Sequence, residues 1–265
     1  RKYSSGNEIR LSRANDVYPM KNGGYVVVGE FNKRERPEDF DIAVVRVSES
    51  GDVISAFRLG GEYADAGTNV IQASDGSYFV AGETLSYGAL NSDIILMKFN
   101  IKDELLWTKL YGREGSDKIS SMNLTKDNNI IMTGNTTDSK TLDTDMLLFK
   151  INLDGKVLSL NSYGNNGLDV GSALIETDNA LLIAGNIMSH KKGNMDISFV
   201  KTDISGKTDC SSELFEFRLK EVVQKCNDVK EKIFTDKIVE STSNKRQNIE
   251  LNVKSVKVDK VLTCN

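Results

Sequence analysis

Short apolar runs that end in glycine recur along the body of the chain. They read Gly24-Tyr-Val-Val-Val-Gly29, Ser77-Tyr-Phe-Val-Ala-Gly82, Asn129-Ile-Ile-Met-Thr-Gly134 and Ala180-Leu-Leu-Ile-Ala-Gly185. Their final glycines lie 53, 52 and 51 residues apart. A fixed spacing of this length indicates tandem structural repeats.

A second apolar run, which starts with aspartate and ends with a cation, repeats in the same phase. It reads Asp41-Ile-Ala-Val-Val-Arg46, Asp93-Ile-Ile-Leu-Met-Lys98, Asp145-Met-Leu-Leu-Phe-Lys150 and Asp196-Ile-Ser-Phe-Val-Lys201. Because two independent landmarks share one period, the repeat is not a coincidence of composition.

Each repeat holds four apolar runs, which in the second repeat are 69–73, 78–81, 94–99 and 105–110. Turn formers separate them, as in Ser74-Asp-Gly-Ser77, and glycine accepts the positive φ of a tight reversal. The runs are too short for helices and are apolar on nearly every residue, which indicates strands buried on both faces. Four such strands every ~50 residues are typical of a propeller blade. We therefore predict an all-β fold, a small β-propeller of four-stranded antiparallel blades.

The composition divides the chain into a body and a tail. All 21 glycines lie at or before Gly206, and all three cysteines follow it. We assign four repeats to 1–206 (about 7–59, 60–111, 112–163 and 164–206) and a β-rich tail to 207–265. The segment 215–232 fits either a strand or a short helix, whereas Ile249-Glu-Leu-Asn-Val253 alternates as a strand does.

Closure of the ring rests on the tail. The first repeat begins at its inner strand, so tail strands together with the N-terminal strand would complete the last blade and bring the count to five. Two alternatives remain open: a four-repeat body with a separate β-rich tail, and an open fragment of a larger assembly.

Charge and hydropathy argue against two functional classes, a nucleic-acid-binding protein and a protein with a transmembrane helix. The net charge of −4 is the wrong sign for a broad nucleic-acid footprint. No apolar run approaches the 18 residues that a transmembrane helix needs. The sequence starts at Arg1 without methionine, so we expect a leader or lipid anchor, where one exists, to lie in a segment not present here.

The run Trp107-Thr-Lys-Leu-Tyr-Gly112 resembles the Trp-x-Lys-x-Tyr-Gly-Gly signature of a bacterial and archaeal extracellular propeller-repeat family. The resemblance continues in Asp117, Asp75-Gly-Ser-Tyr78, Ala81-Gly82 and the Asp93/Lys98 pair, and it covers about residues 1–210. It implies a secreted or surface-attached propeller. It also implies a tail that carries a first and a terminal cysteine, here Cys210 and Cys264, with Cys226 between them. A Cys210–Cys264 bridge, a Cys226–Cys264 bridge and three free thiols remain open, and a bridge fits an oxidising compartment.

The connections between second and third strands differ most among the repeats, and in a propeller they share one face with the blade-to-blade connections. They are 32–40, 85–92, 137–144 and 188–195. Loops on a rigid scaffold commonly carry binding, so we predict a binding face there. Its candidate residues are Arg34, Arg36, Tyr87, Lys140, His190, Lys191 and Lys192.

Other conspicuous residues are predicted to be structural. These are Trp107, the repeated Asp41, Asp93, Asp145 and Asp196, and the tail cysteines Cys210 and Cys264. No zinc spacing, calcium loop or nucleophile–base pair occurs, so we expect no catalytic residue, metal or cofactor. The prediction is a non-catalytic interaction scaffold at the cell surface, with another envelope protein as its partner. The alternative is a glycan-binding module or carbohydrate-active enzyme, with Trp107, Tyr63, Tyr111 and Tyr163 as a sugar platform.

Overall fold

The protein is described by a computed structural model over residues 9–33, 36–87, 91–164, 167–188, 195–208, 213–214 and 218–222. Over these residues the chain forms 17 β-strands and no helix. The strands form four antiparallel sheets that follow one another along the chain. The all-β class and the tandem repeat predicted from the sequence are therefore confirmed.

Each repeat forms one sheet in which strands pair in chain order. Sheet 1 contains β1 (Ile9–Pro19), β2 (Tyr25–Lys33), β3 (Arg36–Val47) and β4 (Val53–Leu59). Sheet 2 contains β5 (Asp65–Gln72), β6 (Tyr78–Thr84), β7 (Asp93–Phe99) and β8 (Leu105–Gly112). Sheet 3 contains β9 (Asp117–Leu124), β10 (Ile130–Thr137), β11 (Thr144–Ile151) and β12 (Val157–Tyr163). Sheet 4 has three strands: β13 (Asp169–Glu176), β14 (Leu181–Met188) and β15 (Met195–Thr202).

The glycine that ends each repeated apolar run lies inside the second strand, where the backbone of the first strand comes close to it. A Cβ on Gly134 would lie 2.0 Å from the carbonyl oxygen of Lys118, and one on Gly82 would lie 2.3 Å from that of Ala66. The pairing of β9 with β10 changes register at Gly134, which marks a β-bulge in the inner strand. Only glycine fits so near a backbone oxygen, which explains why this residue marks the repeat.

The core lies between consecutive sheets. Ile42 and Val44 of sheet 1 pack with Ile95 and Met97 of sheet 2 in one buried cluster. The alternate residues of β7, including Leu96, pack toward sheet 3 in a second cluster. Both faces of sheet 2 are therefore buried, which accounts for strands without polar alternation.

The turn between the third and fourth strands of one sheet contacts the fourth strand of the preceding sheet. Tyr111 on β8 donates its hydroxyl to the carbonyl oxygen of Gly155, at 2.7 Å. Tyr163 on β12 donates in the same way to Gly206. At the first junction, Ser55 on β4 donates to the carboxylate of Asp103, at 2.7 Å. These bonds fix the spacing between successive sheets.

Two described tail strands extend earlier sheets. β16 (Glu213–Leu214) pairs with β12, and β17 (Arg218–Val222) pairs with β8, both antiparallel. Thus 218–222, within the segment that fitted either a strand or a helix, is a strand. The prediction that the tail completes the last blade depends on residues 223–265 and 1–8, which lie outside the described residues, so it stays a prediction.

Candidate functional site

The connections between second and third strands meet the connections between sheets on one side of the array, which we call the loop face. The same backbone hydrogen bond joins them at each junction. The amide of Leu85 donates to Ala64 at 3.0 Å, that of Thr137 to Ser116 at 2.9 Å, and that of Met188 to Leu168 at 3.0 Å. The loop face thus rests on repeated main-chain contacts, while its side chains vary.

Buried carboxylates anchor the start of the following sheet. Asp65, Asp117 and Asp169 are 1%, 0% and 2% exposed. Asp117 accepts hydrogen bonds from the backbone amide of Arg113, at 2.7 Å, and from the hydroxyl of Thr136. Burial raises the pKa of Asp65 and of Asp117, and the donated hydrogen bonds oppose that rise. These groups hold the sheet-to-sheet connection against the end of the second strand.

The aspartates that start the repeated third-strand runs lie beside these carboxylates. Asp41 is 3% exposed and accepts from the Nε of Arg58, at 2.9 Å. A Cβ on Gly60 would lie 2.3 Å from the Oδ1 of Asp41 and 2.8 Å from the Oδ2 of Asp65. Gly164 has the same relation to Asp145 and Asp169. Each such junction therefore encloses two carboxylates around one glycine.

A shallow depression of about 240 Å³ opens on the loop face between sheets 2 and 3. Its lining residues come from two short segments, 113–115 and 137–140. A Cβ on Gly115 would lie 1.8 Å from the carbonyl oxygen of Thr137, so the two segments touch through their backbones. The side chain of Arg113 spans the same gap and donates to the Oγ1 of Thr136, at 2.8 Å. The two segments therefore pack directly against each other at the floor of the depression.

The rim of the depression carries both signs of charge. Asp138 accepts from the backbone amides of Thr141 and Lys140, at 2.9 and 2.8 Å. These bonds hold the pKa of Asp138 below its usual value. The hydroxyl of Ser139 donates to Glu114 across the gap, at 3.4 Å. The rim therefore presents two cations, Arg113 and Lys140, and two acids, Glu114 and Asp138.

The predicted binding residues fall into four groups. Lys140 lines the depression. Tyr87 is half-buried, with its ring beside Gly61, and burial raises the pKa of its hydroxyl. Arg36 lies in β3, but its side chain lies outside the described part. Four further candidates lie outside the described residues: Arg34, His190, Lys191 and Lys192. The structure therefore brings only Lys140 to the depression among the candidates it describes.

The residues predicted to be structural are placed as follows. Trp107 is half-buried and packs edge-on against Phe79, with ring centroids 5.8 Å apart. Tyr111 and Tyr163 are 0% and 5% exposed, so neither offers a ring to a sugar, whereas Tyr63 is 58% exposed. Asp196 is exposed on β15. Cys210 and Cys264 lie outside the described residues, as does Cys226.

The cations that end the third strands reach different partners. Arg46 lies 3.5 Å from Asp103 of the next sheet, and Lys98 donates to the carbonyl oxygen of Leu153, also of the next sheet, at 3.1 Å. Lys150 instead donates to Asp127 of its own sheet, at 3.0 Å. The aspartate and the cation of each run therefore act at opposite ends of the strand.

Sequence reasoning missed Asp65, Asp169 and Arg113. A signal for the two aspartates was present, because each lies five residues after the first glycine that follows a fourth-strand run: Asp65 after Gly60 and Asp169 after Gly164, as Asp117 does after Gly112. Arg113 carries no repeated signal. Its role comes from its hydrogen bond to Thr136, which lies on β10.

No family model matches the chain, and no curated protein matches it. Within the described residues, no helix has the length and apolarity to cross a membrane. Across the same residues, no group of three or more histidine, cysteine, aspartate or glutamate side chains is placed to hold a metal ion.

Proposed function

We propose that the chain is a non-catalytic interaction scaffold that binds another protein through its loop face. The observation that carries the proposal is the depression between 113–115 and 137–140. Its backbone is fixed by a close glycine contact, and its side chains present two cations and two acids. A preorganised polar surface loses little freedom on binding, which favours recognition of a partner.

The proposal includes a propeller arrangement and a position outside the cytoplasm. Four tandem sheets that pack face to face support the propeller, with a fifth sector filled by chain segments outside the described residues. The resemblance of 107–112 to extracellular propeller repeats supports a secreted or surface-attached protein, with an envelope protein as partner. The glycan-binding alternative has less support, because Tyr111 and Tyr163 are buried between sheets.

Site-specific photo-crosslinking tests the binding face. A benzophenone amino acid replaces Lys140 on the loop face or Lys102 on the opposite side. The two positions are matched: each is exposed, and each donates its backbone amide to an acidic or amide side chain two residues earlier, Asp138 or Asn100. The full chain is then irradiated in an extract of its native cell envelope.

We expect a discrete adduct of one protein partner from position 140 and none from position 102. Arg113→Glu should remove that adduct, because it reverses a charge that lines the depression. Equal adducts from both positions, or none from position 140, would contradict the proposal.

A further inference from the structure

Sheet 4 exposes an apolar face, whereas the equivalent face is buried in each of the other three sheets. The residue after the aspartate of the third strand is 0% exposed at Ile42 and Ile94 and 2% at Met146, but 77% exposed at Ile197. Two residues later the contrast repeats. Val44, Leu96 and Leu148 are each 0% exposed, whereas Phe199 is 67% exposed.

These side chains point away from sheet 3. Phe199 lies in a cross-strand row with Ala184 and Ala173. The next row on the same face contains Ile175, Leu182 and Lys201, and Ile175 is 56% exposed. On the other face, Val200 packs into the cluster between sheets 3 and 4. The exposed residues therefore form one continuous patch, which we call the open face, where a following sheet would pack.

An apolar patch of this extent marks a contact surface, because a soluble protein rarely leaves one uncovered. Sheet 4 also has three described strands, whereas the other sheets have four or five. Among the described residues, no strand pairs with the outer edge of β15. A further β-strand could therefore pack on the open face or pair with this edge.

We propose that residues 249–262 of the same chain cover the open face. The first half of this segment places Ile249, Leu251 and Val253 at alternate positions, with Glu250 and Asn252 between them. In a strand, that alternation puts the apolar side chains on one face and the polar ones on the other. The segment thus matches a surface that is apolar on one side only.

The described tail favours this occupant over a second copy of the chain. β16 and β17 tie the tail to sheets 3 and 2 as far as Val222. The 26 residues between Val222 and Ile249 span roughly 80 Å or more when extended, which exceeds the width of a small domain. A tethered segment has an effective concentration that a free second copy does not reach in dilute solution.

The inference rests on the proposed function in one respect, the fifth sector filled by chain segments outside the described residues, and it does not depend on the partner at the loop face. If residues 249–262 do not cover sheet 4, the crosslink at Lys140 is unaffected. Conversely, absence of that crosslink would contradict the binding proposal but would not affect the proposal that residues 249–262 cover the open face.

Thiol labelling in the full chain tests the cover. Cys210, Cys226 and Cys264 are replaced by serine, and a single cysteine is placed at Phe199 or, as the control, at Leu142, which is 74% exposed. We expect Phe199→Cys to react with a maleimide at least about tenfold more slowly than Leu142→Cys. Adding Leu251→Asp and Val253→Asp should restore the control rate, whereas Asn252→Asp should leave the protection intact.

Three results would overturn the proposal. The first is labelling of Phe199→Cys at the control rate. The second is protection that survives Leu251→Asp with Val253→Asp and weakens on dilution, together with a dimer mass in light scattering, which would assign the face to a second copy. The third needs no substitution: hydrogen exchange of the unmodified chain should show protected amides in 249–262, and complete exchange within seconds would contradict a strand there.

Discussion

At the residue scale, the fold shifts the pKa values of two aspartates of sheet 3 in opposite directions. Burial raises the pKa of Asp117 above its ordinary value of 3.8, so the folded state holds the proton more tightly than the unfolded state. The hydroxyl of Thr125 and the ammonium of Lys150 lower the pKa of Asp127 from 3.8 to about 2, so the folded state releases the proton more readily.

Linkage turns these shifts into a pH prediction. The stability that Asp117 contributes is fully present below pH 3.8 and is lost as pH rises through its raised folded pKa. The contribution of Asp127 is present above pH 3.8 and is lost as pH falls toward about 2. Relative to Asp117→Asn, the wild type should therefore gain stability as pH falls from neutral. Relative to Asp127→Asn, it should lose stability between pH 4 and about 2. Urea unfolding across pH measures both differences, and equal slopes for the two variants would contradict these assignments.

A second residue-scale prediction concerns the hydroxyl that joins sheets 2 and 3. Tyr111→Phe removes the donor to the buried carbonyl of Gly155 and should lower the free energy of unfolding by about 1–2 kcal/mol. Tyr63→Phe is the control, because Tyr63 is 58% exposed, and it should change stability little. Equal urea midpoints for the two variants would show that the junction does not depend on this bond.

Sequence patterns predicted positions at this scale only where they repeat. The aspartates of the third strands were found because they recur in phase, although their contacts with Gly60 and Gly164 were not foreseen. Arg113 was missed, since its role depends on Thr136, which is 23 residues away in the chain. A single sequence does not show which unrepeated residues meet across a junction.

At the element scale, the glycine inside each second strand has no room for a side chain. Gly134→Ala would put a methyl group 2.0 Å from the oxygen of Lys118, so β9 or β10 must shift. We expect a loss of at least about 2 kcal/mol. Gly76→Ala is the matched control: its Cβ would meet only Ile101 at 3.7 Å, and its positive φ costs about 1 kcal/mol. Urea denaturation of both variants decides between them, and a smaller loss at Gly134 would contradict the close approach.

The strand boundaries lie close to those predicted from the sequence where the turns are tight. In the second repeat, 78–81 and 94–99 became Tyr78–Thr84 and Asp93–Phe99. The strands run longer toward the loop face because main-chain bonds such as that from Leu85 to Ala64 continue beyond the apolar residues. The pairing of β16 and β17 with sheets 3 and 2 was not predicted, since an outer sheet edge accepts an added strand with little demand on its sequence.

At the scale of the whole molecule, the repeat explains how consecutive sheets pack and why one face of sheet 4 is exposed. Sheets 2 and 3 each bury one face against the sheet before them and the other against the sheet after them. Sheet 4 lacks its following sheet in the described residues, and Ile197 and Phe199 are exposed as a result. In a five-sector propeller, one further sector would lie between sheets 4 and 1.

Distances between spin labels at equivalent turn positions test the propeller arrangement most directly. Ser50, Lys102, Asp154 and Ser205 occupy the same exposed position of the turn between third and fourth strands, one in each sheet. With labelled cysteines at these sites and the native cysteines replaced by serine, a five-sector ring requires sheet 1 to lie equally far from sheets 3 and 4. We therefore predict equal 50–154 and 50–205 distances, both longer than 50–102. A 50–205 distance clearly longer than 50–154 would show an open array, and one equal to 50–102 would show a four-sector ring; either result would contradict the five-sector propeller.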